Sequence, residues 1–78
     1  MIPVPPAAGH PDARFVIYAK DQPQYTPLPA YVDPKGLVLC EFEFTAEELA
    51  AVLAGGRVRA WIWTFNRALQ PVMLEVVS

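Results

Sequence analysis

The chain predicts an α+β fold: a mostly antiparallel sheet of four to five strands with one helix packed on one face. Three observations carry that expectation. Segments whose apolar and polar residues alternate recur along the chain, which is the period-two signature of strands. A single stretch, Thr45 to Gly56, shows helical spacing between a start signal and a stop signal. Clusters of proline, aspartate and glycine separate these segments. With 54% hydrophobic and 18% charged residues, the 78-residue chain has the composition of a folding domain despite nine prolines. Residues 1–13 read as a proline-rich N-terminal tail and residues 14–78 as one domain.

The tail holds Pro3, Pro5, Pro6 and Pro11 without a periodic apolar pattern, so it reads as polyproline-like, with Ile2 and Val4 as the residues that could anchor it. Arg14 to Lys20 alternates as a first strand. Pro23, Pro27 and Pro29 then exclude a helix and any central strand over Asp21 to Pro29. Ala30 to Val32 reads as a short edge strand. Asp33-Pro34-Lys35-Gly36 follows as a type I turn, with proline in its second place and glycine in its fourth. Leu37 to Phe44 alternates next, placing Cys40 on the apolar side as a small buried hydrophobe. Thr45-Ala46-Glu47-Glu48 is a capping box, Ala46, Leu49, Val52 and Leu53 form the buried stripe, and Gly55-Gly56 end the helix.

Arg57 to Phe65 is the strongest strand signal. Alternation puts Arg57, Arg59, Trp61, Trp63 and Phe65 on one face and Val58, Ala60, Ile62 and Thr64 on the other, so neither face is plainly polar. A tight connection over Asn66 to Gln70 leads to a last strand, Pro71 to Val77. Grouping one charge-free set for the helix side gives a core of Phe15, Ile17, Val38, Cys40, Phe42, Phe44, Val58, Ala60, Ile62, Val72, Leu74 and Val76. The opposite set mixes Tyr18, Leu39, Trp61, Trp63, Phe65 and Met73 with Arg57, Arg59, Glu41, Glu43 and Glu75. Aromatics and arginine together have the composition of protein interfaces.

Function classes separate on the same residues. The single histidine, His10, has no second metal ligand or nucleophile to serve, Cys40 is alone, and the only serine is Ser78, so neither an enzyme nor a metal or cofactor site is expected. A net charge of −2 gives no global attraction to phosphate or to anionic membranes. Single-stranded nucleic acid on the Arg/Trp face is the weaker binding alternative, since Glu41, Glu43 and Glu75 share that face. The N-terminal residues lack the pattern of a signal peptide and no apolar run reaches membrane length, so the cytoplasm is the expected location. The surface expected to bind a partner comprises Tyr18, Leu39, Arg57, Arg59, Trp61, Trp63 and Phe65. The expected partner is a protein, most simply a second copy of the chain as a homodimer.

Two separated runs extend this reading. Ala-Lys-Asp-Gln-Pro-Gln-Tyr-Thr-Pro-Leu-Pro-Ala at 19–30 and Thr-Phe-Asn-Arg-Ala-Leu-Gln-Pro at 64–71 resemble a family of small, functionally unassigned proteins encoded by tailed bacteriophages and prophages. The likeness spans about residues 15 to 77. Ala68 stands where that family more often carries proline, and the alanine-rich helix departs from its bulkier, more basic counterparts. The resemblance implies a phage origin and a location in the cytoplasm of an infected bacterium, and no mechanism. Small phage proteins of this size often act by binding and blocking a host or defence protein, which is the function expected here.

Overall fold

The computed structural model describes residues 1–7 and 12–77. Its elements are β1 (Ile2–Val4), β2 (Arg14–Tyr18), β3 (Leu28–Val32), β4 (Val38–Leu39), β5 (Glu41–Glu43) and α1 (Ala46–Leu53). The α+β class holds, with every strand pairing antiparallel. The arrangement differs from a single sheet. β2, β3 and β4 form one sheet in that order, and β1 pairs with β5 in a second of two strands.

The three-stranded sheet is built by its turns. Gln22 accepts from the Tyr25 amide at 3.0 Å, so Pro23 occupies the second position of a turn that suits its fixed φ. Asp33 accepts from the Gly36 amide at 3.0 Å, while its carboxylate Oδ1 accepts from the Lys35 and Leu37 amides at 2.9 and 2.8 Å. Gly36 takes φ +90°, a left-handed conformation open to glycine. That turn brings Val32 opposite Val38 and Tyr31 opposite Leu39. Across the other ladder Phe15 faces Tyr31, and their rings meet edge-on at 5.4 Å.

Ala30 to Val32 is not an edge strand, and Pro29 is not confined to a loop, as the sequence reading expected: both belong to β3, the middle strand of its sheet. Pro29 faces Ile17 of β2, while β4 pairs only with Tyr31 and Val32. Its missing N–H therefore interrupts no ladder on the β4 side. The expected strand over Leu37 to Phe44 is divided at Cys40 between the two sheets. Ile2–Val4 is part of the fold, with Ile2, Pro3 and Val4 opposite Glu43, Phe42 and Glu41. His10 lies outside the described residues.

The helix forms where its signals stand. Thr45 Oγ1 accepts from the Glu48 amide at 3.2 Å and Glu48 Oε1 accepts from the Thr45 amide at 2.9 Å, which is the reciprocal capping box. At its other end Gly56 donates to the Ala51 carbonyl at 2.8 Å and Gly55 to that of Val52 at 3.0 Å. These are the two bonds of a Schellman close, with Gly55 at φ +90°. A Cβ on Gly56 would lie 2.6 Å from the Ala51 carbonyl oxygen, so glycine is required there by space.

Two further expectations are corrected. The helix does not cover a sheet face: it has no buried residue, and Leu53, the last residue of the expected stripe, is 80% exposed. Residues 57–77 carry no strand, so the two expected C-terminal strands and their core positions are not formed. Alternation records a local preference, whereas a ladder needs a partner and an isolated hairpin is marginal in water. Among the described residues only Pro6 and Ala30 are buried, with Ala30 at 0% exposure in the middle of β3.

Candidate protein-binding surface

Residues 57–77 form an arm that begins at the glycine close of α1. Its tip is a tight turn in which Arg67 donates to the Thr64 carbonyl at 3.0 Å. Phe65 and Asn66 between them take φ +55° and +63°. Two successive left-handed residues closed by such a bond are the signature of a type I′ turn, the connection whose twist suits a β-hairpin. The turn thus lies earlier than the expected Asn66 to Gln70 connection. Phe65 leaves the strand row for the tip, where its ring stacks on Trp63 at 6.0 Å with 24° between planes.

This placement resets the faces. Extended as a ladder, the turn would set Trp63 opposite Ala68, Trp61 opposite Gln70, Arg59 opposite Val72 and Arg57 opposite Leu74. Directly opposed residues share a face, so in that ladder Val72 and Leu74 would join the tryptophans and Met73 would join Val58, the reverse of the sequence assignment. Ala60 and Pro71 would then oppose each other at a hydrogen-bonded position, where proline has no N–H to give. That missing bond weighs against a ladder closing beyond Ile62 and Leu69. Apolar groups remain on both faces in either register.

The expected partner-binding residues separate into two groups. Trp61, Trp63 and Phe65 are 86%, 85% and 78% exposed on the arm. Arg57 and Arg59 stand at its root and, with Val58, line an open groove together with Met1, Phe44, Glu48 and Val52. Tyr18 ends β2, exposed, and Leu39 is half-buried in β4 on the far side of β3. No shared sheet face unites these two with the arm. Sequence reasoning missed the first residue of the chain: the Met1 ammonium pairs with Glu48. No spacing rule signals a contact between a chain terminus and a distant helix.

Electrostatics divides along the same line. The arm holds Arg57, Arg59 and Arg67 against Glu75, a net +2, while residues 1–56 hold three cations against seven carboxylates, a net −4. Among the described residues the arm's arginines make no ion pair. Glu48 is held below the usual carboxylate range, first by its hydrogen bond to the Met1 ammonium and then by that from the Thr45 amide. Burial pushes the Cys40 thiol up, which lowers its thiolate fraction and its reactivity. The groove at the arm root and a second one beside Asp33 measure about 210 and 310 Å³ and are open. They fall at or below the roughly 300 Å³ lower end of small-molecule sites.

Among the described residues no helix is long and apolar enough to cross a membrane. Comparison with protein-family models, curated proteins and solved structures finds no match.

Proposed function

We propose that this protein acts by binding another protein through the arm of residues 57–77, without catalysis and without a cofactor. The observation that supports the reading is the exposure of Trp61, Trp63 and Phe65 on one short segment beside two arginines that make no ion pair among the described residues. Tryptophan and arginine are the residues most often found as energetic anchors of protein complexes. Several large aromatics held in water carry a solubility cost that use as a binding surface would offset. The likeness to small tailed-phage proteins supports a setting in the bacterial cytoplasm, where the ligand we propose is a host or defence protein.

Single-stranded nucleic acid is the second reading, favoured by the arm's local charge of +2 and its exposed rings. The net charge of −2 on the whole chain weighs against it.

Capture from bacterial cytosol, followed by titration of the captured protein, tests the proposal. Binding is expected to move the tryptophan emission to the blue. The Trp61→Ala/Trp63→Ala variant is expected to bind about 100-fold more weakly, the effect of losing roughly 3 kcal/mol of anchor contacts. Equal capture by wild type and variant would remove the arm from the function. Submicromolar binding of a short single strand at physiological salt would favour the second reading.

A further inference from the structure

We propose that the arm's tryptophan face is covered by a second copy of this chain, each arm lying against the acidic body of the other in a two-fold dimer. The inference rests on the protein-binding reading above and names the partner.

Area is the first argument. The chain leaves 7220 Å² accessible. A folded monomer of 8.6 kDa exposes about 4,700 Å² by the size scaling of globular proteins. The surplus, about 2,500 Å² per chain, is shared between the arm and body residues such as Phe15, Leu37 and Leu53, and is roughly three times the 800 Å² that each partner buries in a standard complex. The radius of gyration agrees, at 14.1 Å against about 11.5 Å for a compact chain of this length.

The second argument is that folding back on its own body would not complete the arm. Val58 and Ile62 alternate with Trp61 and Trp63 along Arg57 to Phe65, and the four are between 48% and 86% exposed. The body offers one eight-residue helix and short sheets, which would cover one side of the arm. The second face calls for another chain. Two identical chains satisfy it symmetrically, because each donates an arm and receives one.

Charge is the third argument and selects the contact. An arm of net +2 meets a body of net −4. Within the body, Glu48 caps the helix and Glu41 Oε1 accepts from the Ala7 amide at 3.1 Å, so both are occupied. The carboxylates of Glu43 at the end of β5 and Glu47 in the first turn of α1 make no hydrogen bond or ion pair among the described residues. They are the carboxylates that Arg57 and Arg59 of the second copy would meet, fixing register more than affinity.

A charge exchange on the full chain tests this without touching the apolar residues. By sedimentation equilibrium the wild type is expected at twice the chain mass. Arg57→Glu/Arg59→Glu and Glu43→Arg/Glu47→Arg are each expected to dissociate at least tenfold more readily, and their equimolar mixture to restore the dimer as a mixed pair. A wild type of single-chain mass at all concentrations overturns the inference, as does a dimer indifferent to both variants or a mixture that fails to recover. Where the monomer still captures another protein through Trp61 and Trp63, the binding function stands and only the second copy is removed as partner. Where tryptophan emission is already blue in that monomer and unchanged by any captured protein, both fail.

Discussion

Residues 1–56 and residues 57–77 are comparably rich in apolar side chains, yet the first part is ordered into ladders, turns and a capped helix and the second is an exposed arm with one turn. The difference teaches what local chemistry can settle. In the first part the β3–β4 turn and both ends of α1 close on groups that satisfy the backbone at short range: the Asp33 carboxylate, the Thr45 and Glu48 pair, the Gly55 and Gly56 amides. These contacts span two to five residues and cost little chain entropy to close. The arm has one such closure, Thr64 to Arg67, and beyond it every contact must come from a distant surface.

Enlarging an alanine in each region gives the widest contrast. Ala30→Leu forces a larger side chain into the one fully enclosed side-chain position of β3 and is expected to cost about 1–3 kcal/mol. Ala60→Leu enlarges an exposed arm residue and should stay within about 0.5 kcal/mol in a monomeric state. Denaturant unfolding of the two variants reads the difference. Equal costs would mean that the arm is packed in solution as tightly as the sheet, and the contrast between regions would break.

The helix start comes next. Thr45→Ala removes one half of the capping box and is expected to cost about 1 kcal/mol. Glu48, the other half, has its folded acidity shifted down by the Met1 ammonium and the Thr45 amide. Its stabilisation is therefore fully present above the unfolded glutamate value of about 4.3 and is lost as pH falls through the lower folded value. Far-ultraviolet dichroism should show helix loss beginning below about pH 4 and deepened by Thr45→Ala. Helicity unchanged down to pH 2 would separate the cap from the helix's stability.

The smallest effect sharpens the arm itself. Asn66→Gly places the residue best suited to a left-handed position at the second corner of the type I′ turn and should favour hairpin closure by about 0.5 kcal/mol. Slower amide exchange at Arg67 would register it. Exchange unchanged or faster would show that the turn is not what holds the arm's shape.

Much of the fold was legible because its determinants are close in sequence. The Asp33 to Gly36 turn, the Thr45 to Glu48 box and the double-glycine stop each place fixed residue types at fixed offsets, and each formed where read. The candidate surface was legible only in composition. Trp61 and Trp63 stood out as partner-seeking residues, but Tyr18 and Leu39 entered the same surface only through an assumed single sheet, which the structure divides.

By itself, then, the sequence determined the turns, the helix and its caps, and the aromatic and cationic character of residues 57–65, since these depend on side chains acting on their own or neighbouring backbone. Only the tertiary structure decided that Leu28–Val32 is central, that Leu37 to Phe44 serves two sheets, that Ile2–Val4 joins Glu41–Glu43, and that the arm stays unpaired. Alternation specifies which side chains share a face but not which chain supplies the neighbouring strand. In a ladder grown from the Thr64–Arg67 turn, Val72 and Leu74 would fall on the opposite face from the one their alternation suggested, so a small shift of the turn decides which residues share a face.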